Sequence, residues 1–404
     1  MKLQIKVIAA VLMLTLIGCS DGKTNIDSLS TQNAAYKIAT SDDSFTVAKD
    51  NYISQPYWSA QVSGRTVTKI DNIYYNIMYG CIFFSDFEND EMIYLCNKPD
   101  CEHNSKECNA DLPDGFSYNE IVSADNHIYL IKHDNKDIYL VDWPTDGSGE
   151  YKELFKVGEC IEEDKDDFPS WKIITDGEYI YVYSAYPYYA DTQPCITRYS
   201  LTDGKGEVIT GDQFGGEGMY ITCARLYGEK LFYSLQSLDI EKYCKPINDD
   251  QTGIFVYDTD TGETIQLFRG ESVRSFAVNE EKNEIYYYSA DEGLKKVPLD
   301  KLGETPEVIV KTDDNSTFVD ISYDGKYIYT DNAIWCNMVG ADYQLNIYST
   351  EGNLVNSIAY ESYETIEMGD SDVLFTDSKY LKKSSIETAK FSDFKEFDDI
   401  IKNE

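Results

Sequence analysis

The chain has little histidine and a shortage of positive charge. Only His103, His127 and His133 occur in 404 residues, too few for a histidine-rich metal centre in a channel. Lys and Arg number 35 against 72 Asp and Glu, giving a formal net charge of −37. Such a surface repels nucleic acid, and anionic lipid and wall polymers as well, while favouring cations or cationic partners. The sequence has no Gly-x-Ser-x-Gly, no Gly-x-x-x-x-Gly-Lys-Ser/Thr and no His-Glu-x-x-His, so three familiar routes to hydrolysis are missing. Helical periodicity is scarce. After the first twenty residues no apolar run is long enough to cross a bilayer.

The N-terminus carries an address. Lys2 and Lys6 precede an apolar run from Val7 to Ile17, which ends in Leu16-Ile17-Gly18-Cys19. A positive start, a short apolar stretch and a small-residue ending make a secretory signal. The run is too short to remain as a spanning helix. Its ending resembles the lipobox of bacterial lipoproteins. That resemblance implies cleavage before Cys19, acylation of Cys19, and a mature protein anchored in a bacterial membrane and facing outward. The outside is the cell surface in a Gram-positive host and the periplasm otherwise. The expected division is a signal peptide over 1–18, a flexible polar tether over 19–50 and a single folded domain over 51–404.

That domain repeats. An apolar residue followed by an aromatic recurs at Ile82-Phe83, Ile128-Tyr129, Ile180-Tyr181, Leu231-Phe232, Ile285-Tyr286, Ile328-Tyr329 and Leu374-Phe375, each behind a turn rich in Gly, Asp or Asn. The successive spacings are 46, 52, 51, 54, 43 and 46 residues. Aromatics reach 14% of the chain and include 34 Tyr, residues that favour strands. A second strand follows in most repeats, as in Ile254–Asp258 before Thr261-Gly262. Units of about four antiparallel strands cannot bury both faces alone, but a closed ring of them can. The expected fold is therefore an all-β propeller, most simply of seven blades, with six or eight as the neighbouring counts. The pattern, quoted as Asp324-Gly325-Lys326-Tyr327-Ile328-Tyr329, resembles the DUF5050-like bacterial propeller lipoproteins, related by repeat to the low-density-lipoprotein-receptor type. The resemblance spans most of 65–386. It implies the fold and carries no reaction. Phe45–Val47 or Thr66–Ile70 is expected to close the ring on the last blade, or else the acidic tail after Phe391 completes it.

Cys96, Cys101, His103 and Cys108 fall within thirteen residues. Three thiolates and an imidazole are chemically adequate for tetrahedral zinc. The outside location equally permits one or two disulfides, and free thiols are the third reading. With a tight turn at Phe87–Asp90, Cys81 faces Cys96 across a hairpin, close enough to share a metal or a disulfide. Glu102 and Glu107 are the nearby acids a catalytic metal would use as base. Ten Cys less Cys19 leaves an odd number, so at least one thiol has no disulfide partner within the chain.

Three long connections, Ala185–Pro194, Gln236–Thr252 and Asp331–Gln344, fall between second and third strands and emerge on one rim. The cysteine loop, read as following a third strand, emerges on the other. The connections carry Tyr186, Tyr188, Tyr189, Tyr243, Trp335 and Tyr343, either a ligand surface or aromatics that order their own loops. The acidic turn Asp258–Glu263 lacks the full ligand spacing of a calcium loop and reads as a hairpin. The expected function is a non-enzymatic binding or scaffold module for an extracellular glycan, peptide or protein. The alternative is a polysaccharide lyase or glycoside hydrolase using propeller carboxylates.

Overall fold

The computed structural model describes residues 30–31, 36–40, 42–47, 66–159, 171–184, 195–210, 219–239, 245–247, 250–271, 273–289, 292–302, 304–311, 319–331, 343–360, 366, 369–376 and 378–402. Within them the chain is a β-propeller of seven antiparallel blades, with no α-helix. Blade 1 comprises Val67–Ile70, Ile73–Met78, Cys81–Asp86 and Glu91–Tyr94. Blade 2 comprises Phe116–Ala124, His127–Asp134, Asp137–Trp143 and Lys152–Glu159. Blades 3 to 6 begin at Trp171, Met219, Phe276 and Asp320 and follow the same four-strand order. Blade 7 has strands Val373–Phe375, Lys379–Lys382 and Lys395–Glu396, and among the described residues its inner position is marked by the bridge from Ile366 to Thr376.

The repeat signature locks the turn between the first and second strands. In blade 6, Asp324 Oδ1 accepts the backbone N–H of Lys326 at 2.9 Å and of Tyr327 at 2.8 Å, and its Oδ2 accepts the hydroxyl of Tyr329. Asp176 does the same in blade 3 with Glu178, Tyr179 and Tyr181. In blade 7 the fifth residue on is Phe375, without a hydroxyl. The hydroxyl of Tyr74 from blade 1 reaches Asp370 instead, at 2.6 Å, beside Lys69 at 2.7 Å. In blades 3 and 6 the aromatic of the Ile-Tyr pair is thus both core and turn clamp.

Apolar residues collect between blades, one cluster per junction. Ile121 and Trp143 of blade 2 pack on Ile77 and Ile82 of blade 1. The seventh junction, between blades 7 and 1, holds Tyr74, Phe83, Phe87, Phe375, Tyr380 and Phe397. Burial between neighbours makes each blade depend on the next, as a ring of half-buried sheets requires.

Two expectations about the ring are corrected. Ile82-Phe83 lies in the third strand of blade 1, whereas the other six pairs lie at the position of a second strand; the equivalent pair in blade 1 is Tyr74-Tyr75, behind Asp71-Asn72. The N-terminal segments do not close the last blade. Thr66–Ile70 leads into and forms the inner strand of blade 1. Phe45 donates its N–H to Leu299 O at 2.7 Å, and Val47 to Asn283 Oδ1 at 3.1 Å, which places both on blade 5. The acidic tail completes blade 7 at Lys395–Glu396 and then crosses the seam, where Ile401 and Lys402 pair in parallel with Met92 and Ile93 of blade 1. Parts of the stretch read as tether run along the ring: Ser30–Thr31 on the outer edge of blade 3 and Lys37–Ile38 on that of blade 4. Each of these additions covers an otherwise open strand edge.

Candidate functional site

The hairpin register expected for blade 1 is observed, with Phe83 opposite Tyr94 and Ser85 opposite Met92. The ladder ends before Cys96. Leu95 still donates to Ile82 O at 2.9 Å, but the chain then turns outward, and Cys81 forms its next bridge with Asp111. Cys81 is therefore separate from the cluster. Burial and the nearby Asp111 carboxylate push its thiol up to about 11.

The loop beyond Leu95 brings the four other residues together. The ligand atoms of Cys96, Cys101, His103 and Cys108 all lie within 4.8 Å of one another. The His103 Nδ1 stands 3.2 Å from Cys108 Sγ, and its ring stacks on Tyr94 with centroids 4.4 Å apart and planes 8° from parallel. His103 and Asp100 hold positive φ, 52° and 59°, a conformation that costs energy in a non-glycine residue. Ala110 N–H points at Cys108 Sγ, 3.4 Å away. Cys96 Sγ accepts the N–H groups of Lys98 and Asn109. Burial raises the Cys96 thiol, but those two N–H groups, with the Cys101 and Cys108 thiols, bring it below its ordinary value. Cys108 moves the other way: burial, with Cys96 and Cys101 beside it, pushes it up to about 12. Cys81, Cys96, Cys101, Cys108 and Cys223 are free thiols.

The loop follows the fourth strand of blade 1, a correction to the expected third. Strand directions alternate, so its base lies at the same end of the blade as the second-to-third-strand connections. Leu112 N–H accordingly reaches Gly80 O in that connection of blade 1, at 2.8 Å. The loop also grips blade 2. Asn97 N–H donates to Gly147 O at 2.9 Å, and Asn109 Nδ2 to the same oxygen at 3.1 Å. Gly147 and Gly149, both at positive φ, let this happen. A Cβ on Gly147 would meet Asn97 N at 2.9 Å, and one on Gly149 would meet Asn109 O at 2.6 Å. Sequence reading missed Asn97, Asn109 and both glycines. The one visible signal was the Asp146-Gly147-Ser148-Gly149 run. Glu102 and Glu107 are exposed and stand outside the ligand set.

Of the expected rim aromatics, Tyr186, Tyr188, Tyr189, Tyr243 and Trp335 lie outside the described residues, as does Cys19. Tyr343 opens the third strand of blade 6, opposite Tyr360, with ring centroids 5.6 Å apart. It belongs to the blade rather than to a loop. Part of the blade 4 insertion is sheet as well: Ser237–Asp239 extend the second strand and pair with Lys245–Ile247. Beneath this end sits a buried polar floor that sequence reading did not find. Arg274 binds Asp320 through Nε at 2.8 Å and Nη2 at 3.4 Å. Asp331, directly across the ladder from Asp320, accepts the Tyr360 hydroxyl. Tyr220 donates to Gln236 at 2.8 Å. Elsewhere Lys172 and Glu120, on the inner strands of blades 3 and 2, face each other at 3.4 Å, and Lys383, in the turn after the strand Lys379–Lys382, faces Asp324 in the blade 6 turn at 3.2 Å.

No family model matches the chain, and no curated protein matches it. Solved structures do. The chain is similar to BamB from Moraxella catarrhalis at 12% identity, over 79% of this chain and 81% of that one, with a TM-score of 0.43. It is similar to an oligogalacturonate lyase in complex with manganese at 12% identity, over 69% and 74%, with a TM-score of 0.47. A computationally designed protein, Ika8, matches at 10% identity over 85% and 87%, with a TM-score of 0.44. Likeness at this level says nothing about activity.

Proposed function

We propose that the chain is a bacterial lipoprotein, held to the membrane through acylated Cys19, whose propeller binds an extracellular glycan, peptide or protein without chemistry of its own. The observation that carries this reading is the crowding of one end of the ring. The connections 185–194, 240–252 and 332–342 all leave and re-enter their blades there, on a rigid base and with five large aromatics in their sequence. Rigid sheet beneath aromatic loops provides contact area at little entropic cost.

The same end argues against the lyase or hydrolase reading. The facing acids Asp320 and Asp331 are 2% and 0% exposed and are held by Arg274 and Tyr360. An acid/base pair needs carboxyls open to substrate and water. Here the buried carboxylates hold neighbouring strands together.

The test replaces Tyr188, Tyr243 and Trp335 together by Ala and probes glycan and peptide arrays with parent and variant at matched thermal stability. Retention should fall at least tenfold. Equal retention by a folded variant would overturn the rim assignment. Separately, Cys19→Ser should move the protein from the membrane pellet to the medium or periplasm.

A further inference from the structure

We propose that Cys96, Cys101, His103 and Cys108 form a closed tetrahedral zinc centre that staples blade 1 to the outer turn of blade 2, beside the seam where the ring closes. The inference needs neither the lipid anchor nor a rim ligand.

Distance comes first. Zinc–sulfur bonds of about 2.3 Å in a tetrahedron set neighbouring sulfurs about 3.7 Å apart. The four ligand atoms already lie within 4.8 Å of one another, so a contraction of about an ångström completes the site. The ligand of His103 is Nδ1, the nitrogen turned toward Cys108. Tyr94, stacked on the ring, fixes its plane.

The second shell is the independent observation. Metal-bound thiolates are stabilised by N–H donors that orient them and spread their charge. Here Cys96 and Cys108 each receive the N–H of the residue two positions on, Lys98 and Ala110, and Cys96 receives a further one from Asn109. The backbone is shaped around sulfur acceptors rather than around a sulfur–sulfur bond. Thiol arithmetic agrees. Three cysteines in one loop, with the Cys81 thiol outside the group of converging ligand atoms, leave one over from any disulfide, and disulfide pairing gives His103 no role. Four protein ligands fill a tetrahedron, and no carboxylate belongs to the set, so the centre is structural rather than catalytic.

Its position supplies the purpose. Cys96, Cys101 and Cys108 pack on the cluster between blades 7 and 1, while Asn97 and Asn109 hold Gly147 of blade 2. Metal at this point ties the loop that spans three consecutive blades.

The experiment uses the whole chain, purified from cells grown with added zinc. Elemental analysis should give one zinc per chain. Replacing zinc by cobalt(II) should give the d–d absorption of a tetrahedral site and an intense thiolate-to-cobalt band. His103→Cys should keep the metal, whereas Cys101→Ser should lower zinc affinity at least tenfold. Should Cys101→Ser fail to fold, chelation of the parent protein is read by hydrogen exchange, and the amides of Lys98, Asn109 and Ala110 should lose protection first. A metal-free protein with no tetrahedral cobalt spectrum would overturn the proposal. So would a disulfide among these cysteines in mass spectra, or zinc retained after replacement of all three.

Discussion

In blades 3, 6 and 7 a single carboxylate decides how the turn between the first two strands is held. Asp324 receives two backbone N–H groups, the Tyr329 hydroxyl and the ammonium of Lys383, a lysine that is 6% exposed. Removing one partner of a buried pair strands the other charge, which costs about 3–5 kcal/mol. Asp324→Ala should therefore destabilise by about that much in urea or guanidinium titration, whereas Tyr329→Phe should cost about 1–3 kcal/mol for the acceptor it leaves short. Equal effects from the two would mean the tyrosine, not the ion pair, holds the turn. Asp370 adds a dependence on pH. Burial alone would raise its carboxyl, but Lys69 and the Tyr74 hydroxyl more than offset this and hold it below the ordinary value. A depressed carboxylate contributes stability in full above its unfolded value of about 4 and loses it as pH falls through the folded one. The stability gap between the parent protein and Asp370→Asn should be full at neutral pH and close below about pH 4. A gap that stays constant down to pH 2 would rule the linkage out.

Blade 1 shows what an element owes to its neighbours. Its apolar–aromatic alternation and turn residues were legible in the sequence, and so was the hairpin register that sets Phe83 against Tyr94. The strand count within the blade was not. Ile82-Phe83 looks like the other six pairs because Gly80 precedes it, yet the turn that matters is Asp71-Asn72, with Tyr74-Tyr75 behind it. Local pattern gives strands and turns, while position in a blade depends on which edge pairs with which, a long-range property. The cysteine set was legible by residue type. Its grip on blade 2 was not, because Asn97 and Asn109 are ordinary polar residues until a turn of another blade lies against them. Gly149 tests that grip. An Ala there would sit at φ 68°, with its Cβ 2.6 Å from Asn109 O. Gly149→Ala should weaken the loop by about 1–2 kcal/mol and raise exchange at Asn109 while leaving blades 4 and 5 unchanged. Ser148→Ala, in the same turn, serves as the control.

The molecule as a whole must join its ends against strong self-repulsion. A chain of net charge −37 gains nothing from charge on compaction, so closure rests on burial and on a few well-placed cations. The seam has both. Phe397 stacks on Tyr380 with centroids 5.9 Å apart and is 3% exposed, Ile400 lies against the same cluster, and Lys395 and Lys382 both reach Asp90 of blade 1. The final strand then covers the outer edge of blade 1. Most of this depends on the last eight residues, although the ion pairs at Asp90 lie upstream of them. Ending the chain after Glu396 removes Phe397, Ile400 and the strand together. Loss of one buried Phe alone costs about 3–5 kcal/mol, so the truncated protein should unfold at clearly lower denaturant. Its loss of hydrogen-exchange protection should begin at Met92 and Tyr380, the two sides of the seam, before it reaches blades 3 to 5, whose junctions are untouched. Added salt should recover part of the loss by screening the repulsion that the seam opposes. Unchanged protection at Met92 and Tyr380 would show that the ring closes without its tail.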